Sequence, residues 1–190
     1  MNAADPGGIV VVTGISAAGK TTVADLLARR FRRGVHVKGD VFRRMVVAGR
    51  EQMAAEPSDE AVRQLELRYE LGVTVADRYA AAGFTVVLQD IFIGDHLTWV
   101  VEHIHARPLA VVVLLPRLDV LVAREAQRGK TAYGPGRVSA ELLDRGFREQ
   151  TPRLGLWLDT SDQTPEETVD EIVARAWTDG TMADVHRSAE

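Results

Sequence analysis

Short apolar runs alternate with amphipathic stretches along almost the whole chain. Ile9 to Thr13, Val35 to Val37, Phe84 to Leu88, Leu109 to Leu115 and Leu156 to Leu158 are apolar and mostly β-branched or aliphatic, and they predict five strands. Between them the apolar positions recur at helical spacing. Val23, Leu26, Leu27 and Phe31 share one face of a predicted helix over 22–32. Val62, Leu65, Tyr69, Val73, Ala76 and Ala80 share a face of a longer helix that Ser58 caps and Gly83 closes. Further helices are predicted over 41–48, from Asp95 as cap to about 106, over 118–128, and from Ser139 as cap to about 150. A last one follows Thr164-Pro165-Glu166-Glu167, which combines a capping box with proline at the first helical position.

The almost unbroken aliphatic run at Leu109 suits a parallel strand covered on both faces. Strand and helix in alternation predict an α/β fold: one three-layer domain over 1–177 around a parallel sheet. Gly129 to Arg137, with three glycines, a proline and two basic residues, reads as the most flexible stretch of the chain. Residues 178–190 read as a disordered tail.

Composition narrows the function classes. At 190 residues, 46% hydrophobic and 26% charged, the chain suits one ordinary globular domain. The absence of cysteine excludes disulfides and a zinc-stapled lid. A net charge of −4 argues against general nucleic-acid binding, and no apolar run approaches membrane-spanning length. The first eight residues lack a signal-peptide pattern, so a cytoplasmic protein is expected, as monomer or homodimer.

The chemistry centres on Gly14-Ile15-Ser16-Ala17-Ala18-Gly19-Lys20-Thr21, which meets the phosphate-loop pattern G-x-x-x-x-G-K-[ST] at every fixed position. Such a loop wraps polyphosphate in backbone N–H groups, and the helix after it adds its positive end. The expected nucleotide set is Gly14, Ser16, Ala17, Ala18, Gly19, Lys20, Thr21 and Thr22, with Lys20 on the β- and γ-phosphates and the Thr21 hydroxyl on Mg²⁺. Lys38-Gly39-Asp40 ends the second strand and Gln89-Asp90 the third, and ligands bind at that edge of open α/β sheets. Asp40 is the candidate base that orients an acceptor hydroxyl, or a helix cap, or both. Asp90 is expected to hold a water on Mg²⁺. Arg43 and Arg44 sit oddly in what reads as a helix start, where carboxylates are favoured.

Together, G-I-S-A-A-G-K-T, G-D-V-F-R, V-V-L-Q-D-I-F-I-G and L-D-T-S…T-P-E-E resemble the small P-loop kinases related to adenylate, shikimate and gluconate kinases, and most closely chloramphenicol phosphotransferase and its relatives. The resemblance covers about residues 9–176. It implies a sheet order of 2-3-1-4-5, ATP and Mg²⁺ as cofactors, and a small-molecule acceptor. It also implies that Arg124 and Arg128 close over the nucleotide and neutralise the transferring group, so that Asp40, Lys20, Arg128 and Arg124 form the catalytic set. It implies a small lid over about 125–140, on which Lys130 and Arg137 would sit. Arg43, Arg44, Arg63, Arg68, Tyr69, Phe92, His96 and Trp99 come from segments expected around the acceptor, with Asp40, Arg43, Arg44, Tyr69, Asp90, Phe92 and His96 as the substrate-binding set.

The resulting expectation is an ATP- and Mg²⁺-dependent kinase acting on a small-molecule hydroxyl, with an antibiotic as first acceptor class. A metabolic nucleoside, nucleotide or sugar-acid kinase is the alternative. A nucleotide switch is a third reading, against which no N-K-x-D motif is found, and a toxin kinase acting on a nucleotide sugar is a fourth.

Overall fold

In a computed structural model, residues 7–127 and 140–182 are described. Strands β1 (Ile9–Thr13), β2 (Gly34–Lys38), β3 (Thr85–Gln89), β4 (Leu109–Leu114) and β5 (Leu156–Leu158) form one sheet in the order β2-β3-β1-β4-β5, the order that the resemblance implies. All of its ladders are parallel. Helices α1 (Lys20–Arg30), α2 (Gly39–Met45), α3 (Asp59–Ala81), α4 (Asp95–His103), α5 (Leu118–Ala126), α6 (Ala140–Gln150) and α7 (Pro165–Arg175) connect and flank the strands.

β1, β3 and β4 are buried along their whole length, because parallel strands are covered on both faces. Helix α1 packs on β2, β3 and α7, while α3 packs on β2 and β3 with α2 beside it. The faces are separated by the period-2 alternation of β3. Leu88 points at α3, where a Cβ on Gly72 would lie 3.4 Å from its Cδ1, and Gln89 points the other way to Thr21 of α1.

The predicted signals at helix ends divide. The Ser58 side chain accepts from Ala61 N at 3.1 Å, and the Thr164–Glu167 capping box is formed. Asp95 is not a cap: Gly94, at φ 59, precedes α4, and Asp95 occupies its first turn. Likewise α2 begins at Gly39, so Asp40 lies inside its first turn and does not cap it. Arg43 and Arg44 then fall three and four residues after Asp40, in the last turn of a short helix, where cations are favoured. The proposed Ser139 cap lies outside the described residues.

The tail reading is corrected for 178–182. Gly180 and Met182 exchange backbone hydrogen bonds with Val111 and Leu109, and Thr181 bridges Ala110 in antiparallel fashion. β5 covers only Val112–Leu114, so this segment pairs the stretch of β4 that β5 leaves open. Among the described residues no helix is long and apolar enough to cross a membrane.

Candidate active site

The phosphate loop joins β1 to α1 at the C-terminal edge of the sheet. Gly14 is required by packing, since a Cβ there would lie 2.4 Å from the Leu114 carbonyl oxygen of β4. Gly19, at φ +89, is the N-cap of α1 and offers no side chain to it, and the first turn has no acidic residue. The leading N–H groups of α1 are therefore left for a ligand, and a helix start of this kind attracts anions. Lys20 stands against the same positive helix end, 7% exposed, with Nζ donating to the Ile15 carbonyl at 2.7 Å. A buried cation there opposes helix stability, which is the arrangement expected of a side chain placed for an incoming phosphate.

Ala17, Ala18, Gly19 and Thr22 line one wall of a cleft of ≈ 400 Å³, and Arg124, Gln127, Thr160 and Gln163 line the other. Arg124 is held by a hydrogen bond from Nη2 to the Thr160 carbonyl at 2.9 Å. Thr160 is 3% exposed, and its hydroxyl is a buried polar atom without a hydrogen-bond partner. Buried hydroxyls are nearly always satisfied, so this one suits a ligand with a polar edge. The structure brings Arg124 and the loop to one cleft and adds Thr160 and Gln163, which the sequence reading did not name. Arg128, Lys130 and Arg137 lie outside the described residues.

Where the sequence reading expected Mg²⁺, the structure places Asp90 differently. The Thr21 hydroxyl donates to Gln89 Oε1 at 3.3 Å, and Asp90, one residue on, faces away. Asp90 accepts from Arg68 Nε at 2.6 Å and from Arg68 Nη2, and also from Ile91 N at 2.7 Å. Its carboxylate is walled in by Gly39, whose added Cβ would lie 1.8 Å from Oδ2. Burial works against the Arg68 charge, but the Asp90 carboxylate outweighs it and holds the guanidinium pKa above its ordinary value. As donors toward Mg²⁺, Thr21 and Gln89 offer hard but neutral oxygens. Among the described residues no group of three His, Cys, Asp or Glu side chains is placed to hold a metal. A divalent ion here would take most of its ligands from phosphate and water, as Mg²⁺ commonly does.

Asp40 follows β2, in the first turn of α2. Its carboxylate accepts from Arg43 Nε at 3.1 Å and from Arg44 Nε at 2.7 Å. Burial pushes its pKa up, yet the two arginines together prevail and hold it below the usual carboxylate value. Arg43 and Arg68 border a small pocket with Gln64, Met53 and Glu51.

The structure corrects the expected placement of Tyr69 and Phe92 in the substrate-binding set. Tyr69 is 5% and Phe92 1% exposed, with ring centroids 5.0 Å apart, and the Tyr69 hydroxyl donates to the Ile91 carbonyl at 2.6 Å. Both belong to the core, and burial pushes the Tyr69 phenol pKa up. His96 packs edge-on against Tyr69 at 5.2 Å, and Trp99 stacks on His103 at 4.0 Å. Arg63 pairs with Glu60 on the surface.

With this geometry in place, comparison with known proteins gives a family. The model of the AAA domain family matches residues 9–153. The chain belongs to the AAA domain family. No curated protein matches it in sequence. Among solved structures, a sugar kinase from Janibacter sp. HTCC2649 is 19% identical, covering 88% of this chain and 92% of its own, with a TM-score of 0.62. The Mycobacterium tuberculosis APS kinase in complex with AMPPNP and APS is 19% identical, covering 89% and 96%, with a TM-score of 0.63. The Deinococcus radiodurans tunicamycin resistance protein is 14% identical, covering 88% and 94%, with a TM-score of 0.59. At these identities the likeness establishes a shared fold.

Proposed function

We propose that this AAA domain protein is a phosphotransferase that moves the γ-phosphoryl group of ATP to a hydroxyl of a small molecule. The observation that carries the proposal is the continuity of the uncapped α1 N-terminus, Lys20 and the Arg124–Thr160 wall around one cleft. The kinases of the same fold support it, and so does the AMPPNP in one of them. A cytoplasmic location goes with the use of ATP.

A bound nucleotide with Mg²⁺ would supply the phosphoryl group and screen its charge. The chain's own residues do the rest. Lys20 would turn from the Ile15 carbonyl to a phosphate oxygen, and the backbone N–H groups of Ala17 to Thr21 would hold the phosphates. Thr21 and Gln89 would offer the protein oxygens for the ion. Arg124 and Thr160, which line the cleft, would hold the base. Asp40, ionised because Arg43 and Arg44 hold it so, accepts the hydrogen bond of the acceptor hydroxyl and takes its proton as the bond to phosphorus forms. A carboxylate of low pKa serves here because phosphoryl transfer is loose and asks for orientation more than for strong base.

The antibiotic expectation came from the resemblance to a resistance phosphotransferase, and the burial of Tyr69 and Phe92 leaves neither ring to line a pocket for an apolar acceptor. Arg43, half-buried, and Arg44, exposed, both beside Asp40, are the cations that an anionic acceptor would meet, and Glu51 is a further carboxylate on the pocket that Arg43 lines. We therefore place an anionic, polyhydroxylated metabolite before an antibiotic as acceptor. The test is Mg²⁺-ATP turnover against sugar acids, nucleotides, nucleosides and hydroxylated antibiotics, read as ADP release and a product mass gain of one phosphate. Turnover with an acid and not with its neutral analogue supports this order, and turnover with an antibiotic alone reverses it. Rapid ATP hydrolysis that no acceptor stimulates removes the kinase reading in favour of a switch.

A further inference from the structure

Of 23 lysines and arginines in the chain, only Lys20, Lys38 and Lys130 are lysines. The bias is informative because the two side chains differ: arginine presents a planar fork, lysine a compact point charge on a flexible four-carbon stem. Lys20 is the phosphate-loop lysine. Lys38 closes β2, directly beside Gln89 in the β2–β3 register.

Paired residues of neighbouring parallel strands point to the same face, so Lys38 leaves the sheet on the face of Gln89, about 5 Å away. That face carries α1. Gln89 reaches Thr21 there, and His36, two residues before Lys38, lies 4.0 Å from Asp25 of α1. The Lys38 charge is felt in the same place: it contributes, after the Arg29 hydrogen bond, to holding the Asp25 carboxyl below its ordinary value, and, after burial, to lowering His36. Asp25 itself is engaged by Arg29 at 2.8 Å. The half-buried Lys38 ammonium makes no hydrogen bond or salt bridge among the described residues.

We propose that Lys38 is a second phosphate-facing lysine, set beside a neutral Gln89 where a metal-binding carboxylate would otherwise stand. A carboxylate with a divalent ion brings one net positive charge to the terminal phosphate, and glutamine with Lys38 brings the same charge without the ion. Nucleotide binding by this chain is then less dependent on Mg²⁺ than its phosphate loop alone suggests. The inference rests on the reading of that loop as an ATP site.

The test is calorimetric titration of the full chain with ATP and with ADP, each with Mg²⁺ and in EDTA, for wild type, Lys38→Gln, Lys38→Met and Lys20→Met. Expected is ATP binding by wild type in EDTA, weakened about tenfold in both Lys38 variants, with ADP binding changed less than ATP binding. Adding Gln89→Asp to Lys38→Gln is expected to restore tight ATP binding only when Mg²⁺ is present. ATP binding in EDTA that is the same in wild type and both Lys38 variants, while Lys20→Met loses it, overturns the role of Lys38 and leaves the ATP site standing. Absence of ATP and ADP binding by wild type under both conditions overturns the ATP site as well.

Discussion

The Asp90 carboxylate and the Arg68 guanidinium form a two-point ion pair between the end of β3 and the middle of α3, with side chains 3% and 15% exposed. Each is the partner that keeps the other's buried charge tolerable, so removing one leaves the other stranded. Asp90→Ala is expected to destabilise the fold by about 3–5 kcal/mol, in the range for a broken buried pair. Urea unfolding measures it. The Mg²⁺ dependence of nucleotide binding is expected to stay as in wild type, in contrast to Gln89→Leu, which removes the Thr21 partner and weakens Mg²⁺-ATP.

Asp40 behaves differently because its arginines are largely exposed, with Arg43 at 40% and Arg44 at 65%. Exposed pairs contribute about 0–1 kcal/mol, so Asp40→Asn is expected to leave the unfolding midpoint nearly unchanged. Turnover is expected to fall by about 10²–10⁴-fold, the span of general acid–base contributions. The sign of the pH effect follows from the folded pKa lying below the ordinary 3.8. Asp40 is ionised at every pH above that value. Its small stabilising contribution is present above the unfolded pKa and is lost as pH falls through the folded one. The acid limb of kcat/KM that Asp40 sets is therefore expected below pH 3.8, in a pH–rate profile with the acceptor found in the panel.

Lys20 sits against the positive end of α1, 7% exposed. Lys20→Met removes a cation from a helix start, worth about 0.3–1 kcal/mol, and keeps the apolar stem. The variant is expected to unfold at higher temperature than wild type without nucleotide, and to lose both turnover and the stabilisation that ATP gives wild type. Thermal melts with and without ATP decide it.

Much of the fold was legible because its determinants are local. Ile9–Thr13 and Leu109–Leu114 declare buried strands by composition, and Ser58 and Thr164–Glu167 mark helix starts with their own side chains. Depth and direction were not local. Whether Gln89 or Asp90 faces the phosphate loop depends on which face of β3 lies under α1, and that follows from packing, not from the order Gln-Asp. Tyr69 and Phe92 could line a pocket or fill the core, and only the approach of α3 to β3 decides for the core. The pairing of Gly180 and Met182 with β4 follows from the shortness of β5, which no feature of the tail itself records.

Thr160 gives the sharpest separation of stability from function. Its hydroxyl is buried without a hydrogen-bond partner, while its carbonyl accepts from Arg124 and its residue lines the cleft beside the phosphate loop. An unsatisfied buried hydroxyl costs about 1–3 kcal/mol, and Thr160→Val removes the group while keeping the branched shape and the backbone carbonyl. The ligand-free variant is therefore expected to be more stable than wild type, by part of that amount. A base that uses the hydroxyl loses a hydrogen bond, so ATP affinity is expected to fall by about tenfold, one such bond's net worth. The phosphate loop is untouched, so inorganic triphosphate is expected to bind wild type and variant alike. Higher stability with unchanged ATP affinity would mean that the hydroxyl faces away from the base and that only the Arg124 wall meets it. Higher stability with weaker ATP and unchanged triphosphate assigns the base to this end of the cleft.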